Sequence, residues 1–354
     1  MPNYFDGRTE EPRIIKREDV LLPEYLPDEM LFRDAELQAL ADATKPLASR
    51  GTPTNLFVHG PSGCGKTSSV RYILRQLSEY SSTVLPVHVN CWENPTPLAV
   101  YNKIVEAMRL PLPRRGLATD EVFGHIVQYI RNYKKPVLLV LDDMDGLRGE
   151  DTLHVISRSN DKGVLFGIIG IANDRALLAR LDTRIRSSLR FSELEFRQYG
   201  DEQLARILRV RAEHSLAPGS YDDRLLLKLA RSTEGGSARM ALELLWKAAK
   251  HAEKAGRMKI MLQDAEDVLA TAPSFKLPEL GMCPEEALIL ELLKQGDAES
   301  SALYEGFVKR MPKTKRQIRN YLELLEKKGV IESEEAGEAG GMLRPRVFRL
   351  KARR

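Results

Sequence analysis

At 354 residues the chain exceeds one domain of about 150 residues, and 43% hydrophobic with 29% charged residues is the balance of a globular protein able to bury cores. No apolar run approaches the ~18 residues of a membrane span, Met1–Arg17 is too polar for a secretory signal, and the scattered Cys64, Cys91 and Cys283 form neither a disulfide framework nor a zinc cluster. A cytoplasmic protein without membrane contact is expected. The net charge of +4 is modest, yet beyond Pro312 twelve Lys/Arg stand against six Glu. That excess suits a phosphate backbone, or is a solvated basic tail.

Residues 1–20 lack periodicity and are expected to be extended or partly disordered. Apolar residues recur at helical spacing from Leu31 to Leu47. Strands and helices then alternate: a strand at Asn55–His59, a helix at Lys66–Tyr80, a strand at Val84–Val89 and a helix at Pro97–Met108. A second helix, about Thr119–Asn132, precedes a strand at Val137–Leu141; a further helix leads to Val164–Ile171, a short helix from Arg175 and a brief strand near Leu189–Leu194. This alternation predicts an α/β domain, a parallel sheet with helices on both faces. After Phe196 the texture turns helical through Ala270, with breaks at Ala217–Gly219 and Glu234–Gly236. Thr271–Pro278 reads as a linker. Helix-length stretches at Pro284–Gln295, Ser300–Met311 and Thr314–Lys328 come next, followed by β-prone Val330-Ile331 and Arg346–Leu350 around a Gly/Glu-rich loop. Three helices and a hairpin are the pattern of a winged helix.

The chemistry is concentrated at Gly60-Pro61-Ser62-Gly63-Cys64-Gly65-Lys66-Thr67, which fits G-x-x-x-x-G-K-[ST] between a predicted strand and helix. Glycines let backbone N–H groups curl around phosphate oxygens, and the helix start adds its positive dipole end. Gly63, Cys64 and Gly65 would supply the cradle. Lys66 would reach the β/γ-phosphates of ATP or ADP, and the Thr67 hydroxyl would sit on Mg²⁺. The buried strand Val137–Leu141 runs into Asp142-Asp143. Asp142 would hold Mg²⁺ through its water shell and Asp143 would be the base or water-positioner, unless the two acids only cap a turn. Asn173, at the tip of the next buried strand, could reach the γ-phosphate or serve as a helix N-cap. Arg184 and Arg186 could act as a finger in a neighbouring copy's site, or be ordinary surface residues.

Taken together these motifs resemble the archaeal Orc1/Cdc6 replication initiators of the AAA+ class. Val20–Pro27 with Arg33 resembles that family's N-terminal segment, which wraps the adenine. Asn90-Cys91 is also familial, and Leu112-Pro113-Arg114-Arg115-Gly116-Leu117 resembles its initiator-specific insertion, at about 110–132 here. Asn173 matches sensor 1, Leu181–Leu189 matches the box carrying the finger, with Arg184 preferred over Arg186, and Gly236-Ser237-Ala238-Arg239 matches sensor 2. Tyr199 and Arg211 fit the spacing of its nucleotide contacts. The resemblance implies a base over 1–196, a helical lid over 197–272 and a winged-helix domain over 278–354. It also implies an initiator that binds double-stranded origin DNA, helps load the MCM replicative helicase and meets other initiator copies on DNA. An ATP-switched winged-helix transcriptional regulator is the alternative; a clamp-loader-like ATPase would call for a C-terminal collar and a Ser-Arg-Cys finger.

Two departures stand out. The family's acidic strand usually ends Asp-Glu, whereas Asp143 is one methylene shorter, so weak, slow ATPase activity with intact binding is expected. The wing loop Glu332–Gly341 is acidic and Gly-rich rather than basic. For DNA, the helix from Thr314 presents Lys315, Arg316, Arg319 and Asn320, flanked by Lys313 and by Arg344 and Arg346 in the wing. With Arg114 and Arg115 these are the expected DNA contacts.

Overall fold

Five short strands form one parallel sheet: β1 (Leu56–His59), β2 (Leu85–Asn90), β3 (Val137–Asp142), β4 (Phe166–Ala172) and β5 (Ser192–Glu195), in the order β2-β3-β4-β1-β5. The computed structural model describes residues 13–113, 116–149, 151–159, 164–233, 235–271, 284–293, 296, 298–311, 314–327, 330–335 and 346–350. Every residue of β3 and β4 is buried, which is why both read as unbroken apolar runs. Val137, Leu139 and Leu141 pack beneath α3 (Pro97–Met108), α4 (Thr119–Tyr133) and α5 (Asp151–Ser159). Leu138 and Val140 face the opposite way, toward α1 (Asp34–Thr44) and α2 (Lys66–Tyr80). Because β1 lies between β4 and β5 while its following helix leads to the far edge strand, a crevice opens beyond its carboxyl end.

The helix expected over Leu31–Leu47 is shorter. It starts only at Asp34, because Phe32 takes φ 60°, and ends in a tight 3₁₀ turn, Lys45–Ser49, that contains Pro46. After α6 (Ala176–Arg180) and α7 (Thr183–Leu189) comes a helical layer, the lid: α8 (Asp201–Ser215), α9 (Asp223–Arg231), α10 (Ala238–Lys254) and α11 (Leu262–Thr271). Asp222 and Ser237 cap α9 and α10 by accepting from Leu225 N at 2.9 Å and Met240 N at 3.3 Å. Among the described residues no helix is long and apolar enough to cross a membrane.

The expectation for residues 1–20 needs correction over its second half; residues 1–12 lie outside the described part. Ile14 and Val20 are fully buried, and the stretch docks on the lid rather than on the base. Ala217 N donates to Ile14 O at 2.7 Å, Lys16 N to Ser215 O at 2.7 Å and Ile15 N to Glu253 Oε1 at 2.8 Å. Glu18 accepts from the Trp246 indole at 2.8 Å and from Lys250 at 3.2 Å. All these partners lie some two hundred residues away, so no local periodicity marks the segment.

A second unit comprises residues 272–354. In it α12 (Pro284–Leu293), β6 (Ala298–Glu299), α13 (Ser300–Arg310), α14 (Lys315–Lys327), β7 (Ile331–Glu335) and β8 (Arg346–Leu350) follow in the order of a winged helix. Its sheet has three antiparallel strands, β6-β8-β7, one more than the expected hairpin, since two residues are too few to read as a strand. Ile289, Leu293, Phe307, Ile318, Leu322 and Phe348 form its separate core. Thr314 opens α14 with a reciprocal cap: its N–H donates to Gln317 Oε1 at 3.0 Å and its hydroxyl accepts from Gln317 N at 3.4 Å.

Docking of the N-terminal stretch is testable. Ile14→Ala should destabilise the first unit by about 2–5 kcal/mol, read as a lower urea midpoint. A midpoint equal to the parent's would mean that the segment does not pack on the lid.

Candidate nucleotide site

The loop between β1 and α2 is shaped by contacts on its outer side. Gly63 and Gly65 take φ 77° and 91°, values that disfavour side chains. A Cβ on Gly63 would meet Ser237 Oγ at 2.0 Å, and one on Gly65 would meet the Tyr199 hydroxyl at 2.8 Å. The lid is also tied to the loop directly, since Ala238 N donates to Gly63 O at 3.0 Å. Lys66 is buried, and its ammonium donates to Gly60 O at 2.7 Å, Pro61 O at 2.8 Å and Asn173 Oδ1 at 2.9 Å. Burial lowers its pKa, against the pull of Asp143 and Asp142 nearby. Burial likewise pushes the Cys64 thiol up, so this cysteine is an apolar filler and not a thiolate.

Below the loop, Thr67 Oγ1 donates to Asp142 Oδ1 at 3.0 Å. The other carboxylate oxygen lies 3.1 Å from His88 Nε2, and Asp143 N donates to Oδ1 at 3.1 Å. Asp142 is therefore held at both oxygens while facing the cavity. Asp143 sits in left-handed backbone at φ 49°, with its carboxylate 3.4 Å from Asn90 Nδ2. Burial, then Asp142 and Asp145, raise its pKa above the usual carboxylate range. A hydroxyl and a buried carboxylate in contact fit Mg²⁺, which keeps several waters and takes few protein ligands beside a phosphate. Among the described residues no cluster of three or more His, Cys, Asp or Glu offers a closed metal cage.

Gly63, Gly65, Lys66, Thr67, Asp142, Asp143, Asn173, Tyr199, Arg211 and Arg239 all line one cavity of about 390 Å³. That volume is within the range of small-molecule sites. Its other wall is apolar, with Pro27, Met30, Ile207, Val210 and Leu242. Arg211 does not project freely: it donates to Val20 O at 2.9 Å and Tyr25 O at 3.4 Å, and stacks 4.5 Å over the Tyr25 ring. It thus fastens the N-terminal strap to the lid. From the base side, Arg71 and Arg75 donate to Glu24 O and Pro27 O, each at 3.2 Å. Cys64 lies behind the loop, not in the cavity lining.

Arg184 and Arg186 are exposed on α7 and do not line the cavity. Asp182 caps that helix by accepting from Arg184 N at 2.7 Å. Lys315, Arg319 and Asn320 are exposed on α14, to which Arg316 also belongs. Arg346 is exposed but 3.8 Å from Glu326, and Arg349 pairs with Glu332 at 2.6 Å and Glu334 at 2.5 Å. Arg114, Arg115, Lys313 and Arg344 lie outside the described residues. Two contributors escaped the sequence reading. His88 was signalled only by a lone polar residue between Val87 and Val89. Arg33 was noted within its segment but given no place at the site.

Comparison with known proteins agrees with this arrangement. The sequence matches the AAA domain family over residues 49–181 and the Cdc6 AAA+ ATPase-type lid domain over residues 205–268. It is 28% identical over 345 residues to the ORC1-type DNA replication protein 1 of Sulfolobus acidocaldarius, covering 90% of this chain and 86% of the relative. It is 35% identical over 257 residues to ORC1-type DNA replication protein 1 of Aeropyrum pernix, covering 69% and 65%. The structure of the Aeropyrum pernix Orc1 protein in complex with DNA superposes with a TM-score of 0.74 at 30% identity, over 96% of this chain and 94% of that one. The chain belongs to the Orc1/Cdc6 family of AAA+ proteins.

Proposed function

We propose that this protein is an ORC1-type DNA replication initiator that binds ATP between base and lid and origin DNA through its winged helix. One observation carries the nucleotide half: the loop, the acidic strand end, Asn173 and the lid residue Arg239 line a single cavity on one chain. Lys66 would exchange the carbonyls of Gly60 and Pro61 for phosphate oxygens, with Asn173 steering it. Bound Mg²⁺ would supply charge neutralisation for the phosphates, with Thr67 and Asp142 as its protein ligands. Arg239, in the first turn of α10, would meet the terminal phosphate and so tie lid angle to nucleotide state. Arg184 would act only on a neighbouring copy, since it is remote from its own cavity.

Asp143 is half-buried and carries its carboxylate one methylene closer to the backbone than a Glu would, so it is poorly placed to position an attacking water. Hydrolysis would be a slow reset rather than a motor stroke. The DNA half is supported by the exposed Lys315, Arg319 and Asn320 on α14 and by the DNA complex of the Aeropyrum pernix relative. Of the described hairpin arginines, Arg349 is engaged by Glu332 and Glu334 of β7, and α14 is taken as the main reading element. Helicase loading and contact with further initiator copies follow from the family reading.

Three outcomes test this. Lys66→Ala should weaken ADP and ATP binding by roughly tenfold to a hundredfold, the worth of a hydrogen bond to a charged group; calorimetry showing parental affinity would remove Lys66 from the site. Asp143→Glu should raise the single-turnover rate of ATP hydrolysis, and no gain would mean that carboxylate reach is not limiting. Arg319→Ala should weaken duplex DNA binding and reduce the slope of log K against log salt by about 1. An unchanged slope would exclude a phosphate contact there.

A further inference from the structure

Arg33 is the most heavily engaged buried cation in the first unit among the described residues. It does not line the cavity, and only 4% of it is exposed. Its guanidinium donates to four acceptors on three segments. Nε reaches the Tyr199 hydroxyl at 3.0 Å and Nη1 reaches Glu36 at 2.7 Å. Nη2 reaches Cys64 O at 2.8 Å and Arg197 O at 2.6 Å. Its carbon lies 4.0 Å above the Tyr199 ring and 5.3 Å from that of Phe196. The preceding Phe32 is forced to φ 60° and left half-exposed, a strained conformation for a bulky residue, and the chain turns there just before Arg33 enters the interior.

The Cys64 carbonyl lies in the middle of the glycine-rich loop. The described peptides are all trans, so the Gly65 N–H must point opposite to that carbonyl, away from Arg33. Gly65 itself lines the cavity. Left alone, a peptide between Gly63 and Gly65 is free to flip, since glycine accepts both hands of backbone. Holding its oxygen removes that freedom. We propose that Arg33 is a positioning residue: by gripping the Cys64 carbonyl from behind it presets the Gly65 N–H toward the phosphate, and by gripping Arg197 O and Tyr199 it ties that setting to the base–lid linker.

A guanidinium suits this task and an ammonium does not. Its planar fork serves several fixed acceptors while its face stacks on an aromatic ring, whereas Lys offers one point charge. Glu36 balances the charge, so Arg33 acts by geometry more than by adding positive potential. This role presupposes that the cavity takes a nucleoside di- or triphosphate.

The test uses the full chain labelled with [¹⁵N]glycine and titrated with ADP, alongside calorimetry and thermal melting of the ligand-free protein. In the parent, ADP should shift the Gly65 amide, identified by its loss in Gly65→Ala. Arg33→Lys should bind ADP at least about tenfold more weakly, with the ADP-induced shift of Gly65 cut by more than half. Tyr199→Phe keeps the stacking ring but loses one acceptor, and should give a smaller change of the same kind, roughly threefold in affinity. ADP affinity within twofold of the parent in Arg33→Lys, or weaker binding with a full Gly65 shift, would overturn the proposal. If Arg33→Lys does not fold, Tyr199→Phe decides: an unchanged Gly65 shift with unchanged affinity overturns it. A parent protein that gives neither heat nor shift with ADP would instead sink the nucleotide reading, and the role of Arg33 with it.

Discussion

The chain crosses between lid and base twice, and the nucleotide cavity is enclosed by the two crossings. Residues 14–21 are bonded to α8 and α10, residues 22–33 pass over to the base, and Phe196–Gly200 passes back. Each crossing is clamped by arginine. Arg211, Arg71 and Arg75 hold strap carbonyls, and Arg33 holds the return linker at Arg197 O. A lid tethered at two points cannot swing without moving the strap that lines the cavity. The lid and the strap lining the cavity are therefore joined by covalent connectivity. The close approach of Ser237 to Gly63 is the third point of this frame.

Much of this was legible in the sequence because its determinants are local. The loop and Asp142 announce themselves by spacing and by an unbroken apolar run. Helices α2 and α3 begin and end where their apolar periodicity does. Other features depend on partners far along the chain. Ile14 and Val20 look like residues of a loose tail until α8, nearly two hundred residues later, supplies their cover. The start of α1 was misread because nothing in the letters around Phe32 reveals a left-handed turn. His88 and Arg33 belong to the site through contacts spanning 54 and 166 residues, and no motif encodes these. The two-residue β6 exists only because β8 is beside it.

Charge is distributed differently in the two units. Around the cavity, cations on the walls face acids at the floor, and burial sharpens both. In the second unit the arginines of β8 are matched by glutamates of β7 and α14. Among the described residues of α14, Lys315 and Arg319 are exposed one turn apart, with Asn320 beside them.

The recognisable domain and the complete site have different edges. The AAA domain match opens at residue 49, whereas the cavity wall draws on residues from Pro23 onward and the loop is braced by Arg33. A fragment cut at the domain's apparent start would keep every signature motif and still lack one side of its pocket. Across relatives, divergence in this short leader would retune nucleotide affinity while every hallmark letter stayed the same. Motif inventories would then rank as equivalent proteins whose switches are set at different points.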